Sequence, residues 1–144
     1  MSKIVLLLML SGALGVYGKS SHYRHAAVIK NVTKTYKNLP KSVLRDLDNV
    51  LVSFAHAQEL PAYYIKKSQA CKLNWKNPVC HKRGVCNLHI VAKGKKIGGD
   101  KFNGISGWPK GNYREADLGN LLRNQCRNQY RLVFSENLQV LFFT

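Results

Sequence analysis

At 144 residues, with 45% hydrophobic residues and four prolines, the chain has the material for one packed core, which excludes a wholly disordered polypeptide. Its 23 Lys and Arg against 7 Asp and Glu give a formal charge of +16. A field of that sign attracts polyanions, with RNA, DNA, anionic lipid and sulfated glycans as candidates, and charge alone does not choose among them.

Lys3 precedes the apolar run Ile4-Val5-Leu6-Leu7-Leu8-Met9-Leu10, and small residues follow at Gly12, Ala13, Gly15 and Gly18. This pattern predicts a signal peptide over residues 1–18, cleaved near Gly18, and a secreted, extracellular protein. The run is well short of the ~20 residues that cross a bilayer, so no stable membrane insertion is expected. Residues 19–41 are polar and basic without clear periodicity and read as an arm or propeptide, with His22, Tyr23 and His25 in solvent. The sequon Asn31-Val32-Thr33 makes Asn31 a glycosylation candidate.

The folded domain is expected over 42–144. Val43, Leu47, Val50, Leu51 and Phe54 recur at helical spacing, which predicts an amphipathic helix from Ser42 to about Gln58 with His56 in its last turn. Leu60-Pro61 breaks it, and a short helix over Lys66 to Leu73 follows, with Ser68 as its N-cap. A lysine at such a helix start adds its ammonium to free backbone N–H groups, which together suit a phosphate. From Trp75 to Gly94 the chain reads as a loop held by cystine. Cys71, Cys80, Cys86 and Cys126 are even in number, so two disulfides are expected in an oxidising compartment. Cys71–Cys80 with Cys86–Cys126 is the preferred pairing, since Cys126 then ties the late strands to the middle loop. The spacings match no zinc template, and no metal or cofactor is expected.

Strands are predicted over Asn112–Leu118, Tyr130–Phe134 and Leu138–Phe143, with a turn at Ser135-Glu136-Asn137. Helices followed by an antiparallel sheet make an α+β fold. Strand alternation places Tyr113, Glu115 and Asp117 on one face, and Arg127 and Arg131, four apart, also share one. A carboxylate facing two guanidiniums is held ionised, as a catalytic base must be, although an inert cross-strand salt bridge would use the same residues.

Four blocks carry a resemblance: Leu60-Pro61-Ala62-Tyr63-Tyr64-Ile65-Lys66-Lys67-Ser68, Gly94-Lys95-Lys96-Ile97-Gly98-Gly99-Asp100-Lys101-Phe102, Tyr113-Arg114-Glu115-Ala116-Asp117 and Arg127-Asn128-Gln129-Tyr130-Arg131-Leu132-Val133-Phe134-Ser135. In that order they resemble the barnase-like bacterial guanyl-specific ribonucleases, from about Ser42 to Thr144. The resemblance implies cleavage of single-stranded RNA after guanosine, by attack of the 2′-hydroxyl through a 2′,3′-cyclic phosphate. It assigns Glu115 as general base and Lys67, Arg127 and Arg131 as the cations on the phosphorane, with Phe102, Asn103 and Lys66 contacting substrate. It implies a monomer and, as a partner, a small acidic protein inhibitor.

Three departures accompany the resemblance. The family's general acid is a histidine in a last strand, and the match ends about two residues before it. None of His22, His25, His56, His81 and His89 stands at a matching place. A C-terminally short domain without that acid implies a rate lowered by ~10²–10⁴, and a final strand edge bearing Phe142 and Phe143 left exposed. After Phe102 the family has an Asn-Arg-Glu-like guanine reader, whereas Asn103-Gly104-Ile105-Ser106-Gly107-Trp108 is shorter and has no acid. The connection between Glu115 and Arg127 is also longer than the family's. A non-catalytic cationic protein that binds RNA or membrane is the alternative reading.

Overall fold

The computed structural model describes residues 5–8, 19–77, 80, 83–103, 107–122, 125–138 and 140–144, with the backbone alone for 5–8 and 19–24. In chain order the elements are β1 (Val5–Leu8), α1 (Lys19–Thr35), α2 (Lys41–Ala57), β2 (Tyr64–Ile65), α3 (Lys67–Cys71), α4 (Leu88–Val91), β3 (Lys96–Phe102), β4 (Tyr113–Leu118), β5 (Tyr130–Ser135) and β6 (Val140–Phe143). Helices packed against one face of a sheet make this the expected α+β fold.

Helix α2 follows its apolar period: Val43, Leu47, Val50, Leu51 and Phe54 are all buried. It ends where Gln58 turns left-handed (φ 56°) and its N–H returns to the Phe54 carbonyl. Asp46, on the same helix, is also buried. Its carboxylate accepts from the Gly119 N–H at 2.7 Å and pairs with Lys96 Nζ, which also donates to the Gly119 carbonyl at 2.8 Å. This cluster pins α2 to β3 and to the turn that leaves β4.

The sheet runs in the order β1-β6-β5-β4-β3-β2. All its pairings are antiparallel except β2 with β3, where Tyr64 and Ile65 lie parallel to Lys96 and Ile97, so the sheet is mixed rather than purely antiparallel. The parallel pair is only two residues long, too short to leave a periodic signal. A bulge interrupts the β3–β4 register between Gly98 and Asp100. Gly99 there has φ +94°, and the ring of Tyr64 lies so close to Gly98 that a Cβ would meet it, so both positions require glycine.

Alternation divides the sheet. Ala116, Leu118, Leu132, Phe134, Leu141 and Phe143 face the helices and join Val43, Leu47, Val50 and Phe54 in the main core. On the other face Tyr113, Val133 and Phe142 form a smaller cluster with Phe102 and Trp108 packed against it. Ala70, Trp75, Leu88 and Ile97 make a third, beneath α3 and α4. The Trp75–Gly94 segment is therefore less of a loop than its composition suggests: Trp75 bridges Val85, and Asn87 caps α4 by accepting from the His89 N–H at 2.9 Å. Both expected disulfides are present, Cys71–Cys80 and Cys86–Cys126.

Both chain ends hold structure that the expectations did not include. The segment from 19 to 35 is a helix, not an irregular arm, and it reaches the core: Val28 and Val32, one turn apart, are buried there, with Ile29 and Tyr36 packed alongside. Two valines among so many charged and polar residues leave only a narrow stripe, too sparse to make a helical period in the sequence. In the full chain the outer edge of β6 pairs antiparallel with β1, from Val5 opposite Phe143 to Leu8 opposite Val140, and Phe142 and Phe143 are buried; β1 lies within the expected signal peptide, so the edge is covered only while that segment is attached. Among the described residues no helix is long and apolar enough to cross a membrane.

Val32 separates a packed helix from a dispensable arm. Val32→Ala is expected to lower unfolding stability by about 2 kcal/mol through lost burial and a residual cavity, read from urea denaturation. An arm outside the core would leave it within about 0.5 kcal/mol of the parent.

Candidate active site

On the sheet face away from the helices, β4 presents Glu115 and Asp117, each only 4% exposed. In register, Glu115 lies opposite Asp100 of β3 and Val133 of β5, and Asp117 opposite Arg131. Lys67 Nζ donates to Glu115 Oε1 at 2.8 Å, and Arg127 Nη2 reaches the same oxygen at 3.3 Å. Among the described residues Oε2 accepts no hydrogen bond, so its lone pairs are open to a proton. Asp117 holds Arg127 bidentately, Oδ2 to Nε at 2.9 Å and Oδ1 to Nη2 at 2.6 Å. Arg131 Nε stands 3.4 Å from the same Oδ1.

The cations reach these carboxylates from three separate segments. Lys67 opens α3, whose start is fixed by two backbone bonds: the Lys67 N–H donates to Asp100 Oδ2 at 3.0 Å and the Lys66 N–H to Gln69 Oε1 at 2.9 Å. Lys66, not Ser68, is the residue that caps the helix. These two N–H groups are engaged within the protein, so the expected backbone phosphate cradle at this helix start is not formed by them. Arg127 lies in the connection before β5. Cys126, disulfide-bonded to Cys86, precedes it, and buried Asn128 follows, donating to the Leu118 and Gly119 carbonyls, both at 2.8 Å. With the longer connection expected here, Arg127 still reaches both Asp117 and Glu115. Arg131 is on β5 itself.

Burial works to raise the Glu115 carboxyl. The Lys67 hydrogen bond, with the charges of Arg127, Lys67 and Arg131, outweighs it and leaves the group below the ordinary carboxylate value. For Arg127 burial alone would ease deprotonation, but its hydrogen bond and charge pairing with Asp117, joined by Glu115, raise it further above its ordinary value. The carboxylates are sealed in while the side chains of Lys67, Arg127 and Arg131 remain 33%, 23% and 34% exposed. Such a site can accept a proton at Glu115 while an anion rests against the cations above it.

The structure brings together Glu115, Lys67, Arg127 and Arg131. Phe102 stacks on Trp108 at 5.7 Å between ring centroids, and Trp108 on Phe142 at 3.6 Å, so Trp108 is engaged in packing the sheet face. Asn103 and Lys66 are exposed, near the end of β3 and the start of α3. Gly104, Ile105 and Ser106 of the shortened loop lie outside the described residues. Histidines are elsewhere: His25 Nε2 pairs with Asp48 at 2.5 Å, His56 closes α2 and His89 is on α4, while the His22 side chain and His81 are outside the described residues. Asn31 is exposed on α1, where Thr33 of the same sequon bonds back to the Ile29 carbonyl. Among the described residues no group of three or more His, Cys, Asp or Glu could hold a metal ion.

Two site residues were missed as such. Asp117 was placed on the correct face by alternation, yet its grip on both arginines needed the fold. Asp100 follows the glycine pair, and only the bulge turns it toward the Lys67 N–H.

Fold and site together define an α+β protein with a shielded carboxylate under a rim of cations. No protein-family model matches the chain. It is 38% identical over 100 residues to a ribonuclease of Heyndrickxia coagulans, an alignment covering 67% of this chain and 84% of that protein. Ribonucleases of Bacillus intermedius and Bacillus pumilus are also 38% identical over 100 residues, covering 67% of this chain and 57% of theirs. The chain belongs to this family of barnase-like bacterial ribonucleases.

Asp117→Asn tests the grip on the arginines. Losing one partner of a mostly buried ion pair is expected to cost about 3 kcal/mol of unfolding stability in urea. A loss below about 0.5 kcal/mol would place the pair with ordinary surface contacts.

Proposed function

We propose that the protein is a secreted endoribonuclease that cleaves single-stranded RNA, carried by one observation: two cations from different segments converge on a single oxygen of the buried Glu115. Glu115, ionised, takes the proton of the ribose 2′-hydroxyl as the 2′-oxygen attacks the adjacent phosphorus. Lys67, Arg127 and Arg131 neutralise the charge that grows on the phosphorane oxygens. The bond from phosphorus to the 5′-oxygen then breaks, leaving a 2′,3′-cyclic phosphate and a 5′-hydroxyl. That oxygen takes its proton from solvent water, since no side chain among the described residues is assigned as the acid.

Guanosine preference rests on the family resemblance, with Phe102 and Asn103 beside the base and Lys66 near the phosphate. The N-terminal targeting pattern and the two disulfides support secretion. Cleavage near Gly18 removes β1 and bares the outer edge of β6, while the strands carrying the site, β4 and β5, lie further into the sheet. The strong positive charge suits a small acidic protein inhibitor of the monomer.

Glu115→Gln keeps the shape and removes the base. Cleavage of a GpU dinucleotide is expected to fall ~10²–10⁴-fold with dinucleotide affinity retained. Equal cleavage by both proteins contradicts the assignment of the base. Equal binding without cleavage by either supports a non-catalytic RNA-binding protein.

A further inference from the structure

From Leu60 to Gly99 the chain carries nine Lys and Arg and no Asp or Glu. Two of the nine turn inward, Lys67 to Glu115 and Lys96 to Asp46. Lys72, Lys76 and Arg83 are exposed and make no ion pair among the described residues. Most of the acids are engaged elsewhere, Asp48 with His25, Asp100 with the Lys67 N–H, Asp117 with Arg127 and Arg131, and Glu136 with Arg114, while Glu59, exposed after α2, makes no ion pair with Lys72, Lys76 or Arg83.

These cations stand on a braced platform. The Cys71–Cys80 disulfide closes the segment that begins at the end of α3. Lys76 N–H donates to the Val85 carbonyl and Val85 N–H to the Asn74 carbonyl, both at 2.8 Å, which draws the two sides of the segment together. Beneath them Trp75 is 1% exposed, and its Nε1–H donates to the Cys86 carbonyl at 2.9 Å. The platform adjoins the site: α3 starts at Lys67 and ends at Cys71, so Lys72 follows about 7.5 Å along the helix axis from the lysine that touches Glu115.

We propose that Lys72, Lys76 and Arg83 form a track for the phosphates of the RNA strand beyond the scissile bond. This rests on the ribonuclease reading, because the track begins on the helix that supplies Lys67. An anionic membrane is the competing partner, since Leu73 and Ile90 are exposed nearby in sequence. Yet α3 and α4 are five and four residues long, too short to lie in a bilayer interface as amphipathic helices.

The test compares Lys72→Gln/Lys76→Gln/Arg83→Gln with a charge-matched control, Lys30→Gln/Lys34→Gln/Lys37→Gln on and after α1. A fluorescent single-stranded oligoribonucleotide is titrated at several salt concentrations in the Glu115→Gln background, so that nothing is cleaved. In the track variant the slope of log affinity against log salt is expected to become shallower by about 2, from three lost contacts at ~0.7 each, and to change less in the control. With Glu115 intact, cleavage of GpU, too short to reach the track, is expected to be unchanged. An unchanged slope, an equal change in the control, or lost binding to phosphatidylserine vesicles with oligonucleotide binding retained would overturn the proposal. Should the parent cleave no RNA while the slope still falls by about 2, the track stands and the nuclease reading fails.

Discussion

Two carboxylates buried two residues apart on one face of β4 set the terms for the rest of this structure. Removing one such charge from water costs several kcal/mol unless a partner of opposite sign and good hydrogen-bond geometry meets it. Glu115 and Asp117 are met by Lys67 from α3, Arg127 from the connection before β5 and Arg131 from β5. The same convergence that makes burial tolerable lowers the affinity of Glu115 for a proton and leaves partly exposed cations above it. Stability and the proposed chemistry thus draw on one set of contacts.

The convergence needs rigid support, and much of the chain supplies it. Asp100 fixes the start of α3 from the β3 bulge, and Asn128 fastens the Arg127 connection to the end of β4. The Cys86–Cys126 disulfide ties that connection to the segment leading into α4. Behind the sheet, Asp46 and Lys96 meet at Gly119, so the helical layer is anchored at the turn from which the Arg127 connection departs. A charge cluster in the core side and another in the site side therefore meet at the same stretch of chain.

What was legible in the sequence was whatever repeats or alternates. Helix α2 showed its five buried apolar residues at helical spacing, β4 its alternation, and the four cysteines their number. The roles of Glu115, Lys67, Arg127 and Arg131 came from family resemblance, and the fold brings the four together. Features made by tertiary contact were not legible. Helix α1 enters the core through Val28 and Val32, too few for a period; β2 is two residues long; Asp100 acts through a bulge; and Asp46 looks like any polar residue on a helix until Lys96 meets it. The edge of β6 was expected to be bare because the domain is C-terminally short, and its pairing with β1 was not legible because β1 lies far away in sequence, in a segment read as a targeting peptide.

The central claim is that Glu115 is held ionised by Lys67 from α3, Arg127 from the connection before β5 and Arg131 from β5, against its own burial and beside two groups of like charge, Asp117 on its own strand and Asp100 across the β3 pairing. A carboxyl lowered on folding stabilises the native state above its unfolded value, and that contribution is lost as pH falls through the folded one. Following the Glu115 side-chain carboxyl by carbon NMR through an acid titration reads that folded value directly. The expected result is a midpoint below that of a free glutamate, moving upward in Arg127→Gln. A midpoint at or above the free value, unmoved by that substitution, would contradict it.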